Sequence, residues 1–479
     1  MKQRITSLMM GAAVLTAALP AYAQEAAPVA GAESTDVATI LANVTQEELQ
    51  QKIAAGEFDV NSCDKDKNSA LLIATVNRRS DLAYVLLSNG ADVNYEKESG
   101  ITPLTIACLY DDWVMADLLI THGANVNYSA ANGESTLSLA CAQGSLSAAQ
   151  LLLMNKANPN AADARGLTPL LHAILHRVEG SVEIVRLLLE YEADANAGTP
   201  TGFTPLMAAA QNNDTQAAEA LLEHGAKVNA LQTNGSAALS IAVALGHTEM
   251  VELLLSHKAD VQVGINPNTS LLAYASMLAR ADMMELLLSH GANGSTRDAA
   301  SQSTPLHITA TGNELIADSL KLMGAADLLG AHEAKMDAPA ACRALLKHGA
   351  EVDAVDKNGT TPLMIAAMDG SVETLAVLLE YKANINAADA AGRTPLIQAV
   401  LTPEAKAAIS LKDVSPKVAE KIRPTVIKSM TEYPDVLGTV RLLLENGADV
   451  HAKDKAGKTA LDYAENAEVR KLLEAAAAK

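Results

Sequence analysis

One phrase recurs along this 479-residue chain, and its spacing restricts the fold more than any other feature does. Thr102-Pro103-Leu104, Thr168-Pro169-Leu170, Thr204-Pro205-Leu206, Thr304-Pro305-Leu306, Thr361-Pro362-Leu363 and Thr394-Pro395-Leu396 are copies of it, with weaker copies between them. The leucine column runs through Leu71, Leu104, Leu137, Leu170, Leu206, Leu239, Leu272, Leu306, Leu363, Leu396 and Leu461, and most of its steps are 33 residues. A unit that short cannot bury its own apolar face, so each copy must stack on the next.

Each word of the phrase has a physical task. The Thr hydroxyl can accept a backbone N–H at a helix start, and Pro at the first helical position gives up an N–H that had no partner. Val182-Glu183-Ile184-Val185-Arg186-Leu187-Leu188-Leu189 has the apolar spacing of a second helix, and a Gly after such a segment supplies the left-handed residue that ends it. Turn residues then lead to the next copy. At that Gly position stand Lys156, Glu192, Lys258 and Lys382. A positive φ there costs each about 1 kcal/mol against Gly, so these joints are expected to be softer.

The typical unit reads Gly-x-Thr-Pro-Leu, an Ala three residues after the Leu, a Leu-Leu pair, and a close such as Gly90-Ala91-Asp92-Val93-Asn94. With the 33-residue step, this resembles the ankyrin-repeat family from about Thr45 to the C-terminus, as eleven units and an N-terminal half unit. The resemblance implies an all-α solenoid of stacked helix-turn-helix units with projecting β-turns. It also implies protein binding through the concave face, made of turn tips and first helices. Both ends read as caps: Thr45-Gln46-Glu47-Glu48 is a capping-box pattern, and the last unit carries Asp462, Glu465, Glu468, Arg470, Lys471 and Glu474.

The pattern breaks in informative places. Repeat four gains three residues near His176 to Gly180, repeat eight about 24 within 313–338, and repeat ten about 32 within 401–437. All fall between first and second helix, so they are expected on the helix-turn edge, opposite the projecting turns. The larger two stand two repeats apart, about 20 Å at ordinary helix spacing, close enough to form a lobe. Segment 401–437 holds Lys406, Lys412, Lys417, Lys421, Arg423 and Lys428 against Glu404, Asp413, Glu420, Glu432 and Asp435, one net positive charge. It reads either as a drifting surface loop or as a docking element. The turn after repeat seven has lost its Val, and Gln302 replaces the next Gly, which suggests a hinge at 293–303.

The chain opens Met1-Lys2-Gln3-Arg4, continues apolar from Ile5 to Pro20, and reaches Ala21-Tyr22-Ala23 before Gln24, the pattern of a cleaved signal peptide over 1–23. The run is short for a bilayer, and no later apolar stretch is long enough to span one, so no membrane insertion is expected after cleavage. Residues 24–44, rich in Ala, read as a flexible leader. The formal charge is -20, and losing Lys2 and Arg4 with no acid takes it to -22. Such a surface repels phosphate backbones, so nucleic acid is not an expected partner.

Catalytic, cofactor and metal readings find little support. His122, His224, His290 and His348 precede the helix-ending Gly of their units, and His257 shares that column. Equivalent positions in neighbouring repeats lie about 10 Å apart, too far to share a metal. Cys108 and Cys141 are equivalent in adjacent repeats, so free thiols are expected, buried at Cys108, Cys141 and Cys342. Ala456-Gly457-Lys458-Thr459 lacks the first Gly of a P-loop, and Met336 stands where a zinc-protease helix opening at His332-Glu333 would need its second His. No enzyme, cofactor or metal is therefore expected, with a site in the inserted lobe as the remote alternative.

The expected function is a protein-interaction scaffold, periplasmic or secreted; a secreted effector that binds host proteins is the alternative. Large polar residues at turn tips and first helices that the fold does not require are the contact candidates: Tyr95, Glu96, Lys97, Tyr128, Asn132, Arg165, Gln232, Lys357, Asp389, Lys453 and Lys455. Tyr110 and Trp113, at the helix-turn edge of repeat two, are read as an aromatic anchor pair.

Overall fold

The computed structural model describes residues 37–97, 100–266, 269–311, 336–410, 419–420, 423–424, 426–428, 431 and 434–479. The expected signal peptide, most of the leader and nearly all of the 313–338 insertion lie outside the described residues. The chain divides into two compact units between Thr233 and Asn234.

In the first unit, helix pairs begin at Ala70, Pro103, Thr136, Pro169 and Pro205, each with a short turn to a second helix. The phrase acts as its chemistry requires: Thr102, Thr168 and Thr204 accept the N–H of Thr105, Leu171 and Met207, each with Pro at the helix start. The first helices are buried almost throughout, and Ala107, Ala140, Ala173 and Ala208 let neighbouring helices approach closely. At the open end, Thr45 and Glu48 close the capping box. The flexible leader is corrected in part: Val37–Asn43 is a helix whose Val37 and Leu41, followed by Val44, are buried over the helix Ala70–Val76. Spacing of four and then three residues puts these side chains on one face, which packs on the first helix of the following repeat.

The second unit has helix pairs opening at Ala238, Leu271, Pro305, Pro362, Pro395 and Ala460. Its first repeat has Ala237 where others have Thr or Ser, so no side chain caps that helix. A small antiparallel hairpin, Gly264–Asn266 with Thr269–Ser270, replaces one turn. Segment 293–303 lies inside this unit: Arg297 donates to the Val355 carbonyl at 2.6 Å, the Lys357 N–H to the Ser301 carbonyl at 3.0 Å, and Gln302 has φ 61°.

Two side-chain devices join repeats. An Asp in the turn folds back on its own backbone, as Asp163 does on the N–H groups of Arg165 and Leu167, both at 2.8 Å. An Asn at the close of each unit reaches the next: Asn94, Asn127, Asn160 and Asn196 each accept the N–H 31 to 34 residues on, at 2.7 Å. Lys156, Glu192, Lys258 and Lys382 all have positive φ, between 64° and 67°, as the repeat pattern predicts.

Candidate interaction surfaces

In the first unit, several expected contact residues turn out to hold the turns together. Tyr95 donates to the Lys67 carbonyl at 2.7 Å, and Tyr128 to the Gly100 carbonyl at 2.8 Å, so both rings clasp the preceding turn and are half-buried. Glu96 is exposed; Lys97 is half-buried beside the bridge it forms with Ile101. Gln232 is half-buried at the last turn of this unit.

Asn132 and Arg165 come together around a buried polar cluster. Arg165 pairs with Asp163 at 2.8 Å, Asn132 donates to Glu134 at 3.2 Å, and the Ala164 N–H donates to the Asn132 carbonyl at 2.9 Å. Between the carboxylates lies His172, 1 % exposed, with ring nitrogens 3.7 Å from Asp163 and 4.0 Å from Glu134. Neither nitrogen makes a hydrogen bond. Burial alone would raise the Asp163 carboxyl, but His172, the Leu167 N–H and Arg165 outweigh it and hold it well below the usual carboxylate range. His172 escaped the sequence reading because it occupies an ordinary first-helix position.

Trp113 is 61 % exposed at the start of its helix, beside exposed Val114 and with Leu146 at the same position of the next repeat. The expected pairing with Tyr110 does not form the presented edge. Tyr110 packs against the Leu72, Ile101 and Ile106 cluster, and the Arg78 guanidinium lies over its ring at 5.6 Å. Apolar contact and a cation draw this ring inward, leaving Trp113 as the exposed aromatic.

The second unit carries a built groove. The insertion after Pro395–Ala399 begins with a helix, Pro403–Ser410, that comes up against turn residues of its own and neighbouring repeats. Its Ala405, Ala408 and Ile409, with Leu401, form one wall of a groove of about 530 Å³. Turn residues Asn358, Thr360, Ala390, Ala391 and Arg393 form the other, and Tyr463 closes it. The reason for this path is on the helix's other side. Lys406 is 2 % exposed, and the Asp369 carboxyl at the end of Pro362–Asp369 is buried too. Burial pushes Asp369 up to about 7 and Lys406 down to about 8, each moderated by the charge of the other.

Charge around the groove is sorted by direction. Asp356, Asp389 and Asp454 each accept two N–H groups of their own turns, all at 2.8 to 2.9 Å. Asp389, expected as a contact residue, is thereby corrected: it is 6 % exposed, and it also accepts from the side chains of Arg393 and Gln398. Its turn uses up the carboxylate. Lys357, Lys453 and Lys455 are exposed at the same tips, and Lys458 lies over the Tyr463 ring at 5.1 Å. The groove's apolar wall was missed because short Ala-rich spacing in an insertion does not say which surface it will meet.

Among the described residues, no group of three or more His, Cys, Asp or Glu could hold a metal ion, and no helix is long and apolar enough to cross a membrane. The four cysteines are free, with Cys63 exposed and Cys108, Cys141 and Cys342 buried. His307 is structural: Nδ1 accepts the Thr304 N–H at 3.1 Å, which leaves Nε2 to donate to the Thr360 carbonyl at 3.0 Å.

The family model for ankyrin repeats in three copies matches residues 38–130, 114–199, 137–232, 180–266, 206–298 and 322–418. No curated protein matches the chain. Among solved structures, the human ASB11 ankyrin repeat domain is similar over 52 % of this chain and 99 % of its own length, at 24 % identity and a TM-score of 0.40.

Proposed function

Because the chain belongs to the ankyrin-repeat family, whose repeats are generally protein-interaction modules, we propose that it is a non-catalytic scaffold, exported from the cytoplasm, that binds a partner protein. Contact is made through the turn tips and first helices of both units, and in the second unit through the groove beside Pro403–Ser410. The observation that carries this reading is that groove, where an inserted helix buries Lys406 on one side, within reach of the charge of buried Asp369, and lines the groove with Ala405, Ala408 and Ile409 on the other. A drifting loop would not need a buried lysine.

Export rests on residues 1–23, which read as a signal peptide ending at Ala23. Two measurements test the proposal. Intact mass of the protein recovered from source-cell fractions is expected to correspond to a chain beginning at Gln24, outside the cytoplasm; an uncleaved cytoplasmic chain would remove export. Affinity capture with the mature chain, followed by mass spectrometry, is expected to retain a defined protein that Lys455→Glu or Trp113→Ala releases; retention indifferent to both would place binding elsewhere.

A further inference from the structure

His172 has fewer protons to donate than its surroundings ask for. It stands two residues after the column leucine Leu170, where repeat ten has Gln398 after Leu396. There the Gln398 amide donates to the turn carboxylate Asp389 at 2.9 Å, beside Arg393. In repeat four the turn carboxylate is Asp163, paired with Arg165, and the ring that faces it also faces Glu134 of the preceding turn. A neutral imidazole has one N–H and one lone pair, so it can serve only one carboxylate. With Nε2 3.7 Å from Asp163 and Nδ1 4.0 Å from Glu134, either tautomer aims a lone pair at a carboxylate oxygen, and burial makes that conflict costly. A second ring proton removes it by giving each carboxylate an N–H.

The rest of the cluster fits that state. Burial would raise the Asp163 carboxyl, but His172, first among the opposing influences, holds it below the usual range, so it stays ionised at neutral pH. Asn132 donates to the other oxygen of Glu134, Oε2, and leaves Oε1 to the ring. The helices packed on either side, Thr136–Gln143 and Pro205–Asn212, carry no charged residue, and burial holds the Cys141 thiol in its neutral form. Glu183, Arg186 and Glu190 of the second helix of repeat four are exposed. His176 stacks on His172 at 5.8 Å and is lowered first by burial, then by His172 and Arg165.

We infer that His172 is a proton-operated clasp between the turns of repeats three and four: with a proton it bonds Asp163 and Glu134 together, and without one it releases one of them. The clasp stands whether or not the chain is a scaffold, and the turns it joins carry Asn132 and Arg165. Its sign follows from where the proton is bound. The closed joint takes it up in preference to the open one, so the added stability is present below about pH 6.5, where a free histidine is charged, and is lost as pH rises. His176 works in the opposite sense, and the test must remove it.

Hydrogen exchange of residues 129–136 and 161–168, corrected for the intrinsic pH dependence of exchange, is measured on the full chain carrying His176→Gln. Opening of these turns is expected to become about threefold rarer or more between pH 8 and pH 6. Adding His172→Gln is expected to flatten that response, because an amide at this position donates to the turn carboxylate without titrating, as Gln398 does. Glu134→Gln, added instead, leaves the ring one carboxylate and is expected to weaken the response. Opening that does not change with pH, or that becomes more frequent in acid, would overturn the clasp. So would a response that survives both His172→Gln and Glu134→Gln.

Discussion

The Asn386 side chain accepts the Asp449 N–H at 2.8 Å across 63 residues of chain, although the corresponding bond from Asn94 to Asn125 spans 31. Its amide also donates to the Gly447 carbonyl at 3.4 Å, as Asn94 does to Gly123 at 3.3 Å. The insertion in repeat ten therefore leaves the joint between units intact. Asn386→Ala is expected to destabilise the last repeats by about 0.5 to 1.5 kcal/mol, since two exposed backbone groups exchange a protein partner for water. Hydrogen exchange of Val436–Glu445 and Ala467–Ala477 measures it, and protection equal to the parent chain would show that the bond does not hold the joint.

Lys382 has φ 65° where most repeats have Gly, and Gly370 has φ 69° with no room for a side chain. Lys382→Gly relieves a left-handed non-glycine residue and is expected to raise stability by up to about 1 kcal/mol. Gly370→Ala is expected to do the reverse, and by more, because its Cβ would lie 2.6 Å from the Pro434 Cα. Urea unfolding followed at both sites separates the two, and equal effects would contradict the backbone account.

Asp369 and Lys406 are buried together, and losing one strands the other. Asp369→Leu is expected to cost about 3 kcal/mol in docking of the helix Pro403–Ser410, and adding Lys406→Met to recover much of it. A double-mutant cycle read by limited proteolysis of that helix checks the coupling; additive effects would mean that the two charges do not interact.

Burial holds the His307 imidazole below the usual histidine range, with hydrogen bonding to Thr360 acting in the opposite direction. At mildly acid pH the unfolded chain thus binds the proton more readily, so stability is full above pH about 6.5 and falls as pH is lowered below it. His176 is lowered as well, first by burial and then by His172 and Arg165, and contributes in the same sense. His307→Gln keeps an acceptor for the Thr304 N–H and removes the titration. It is expected to flatten the loss of stability between pH 7 and 5 in part, and an unchanged slope would exclude His307 as a source.

The repeat period and the Thr-Pro-Leu phrase determined the fold, because they specify local events: a cap, a helix start, a left-handed stop and an apolar face that only the next copy can bury. Even the positive φ at Lys156, Glu192, Lys258 and Lys382 was legible, since alignment on the period puts them where Gly ends a helix. What a side chain meets across repeats was decided only by tertiary structure. Asp389 and Lys357 read alike as polar tip residues, yet the turn closes around one carboxylate and leaves the amine exposed. Tyr110 and Trp113 stand three residues apart, yet only one is drawn under Arg78. The helix Pro403–Ser410 could have been placed on any surface by its composition; burial of Lys406 near Asp369 selects one, and the groove follows from that choice. Local backbone chemistry repeats with the sequence, whereas burial depends on neighbours the period does not specify.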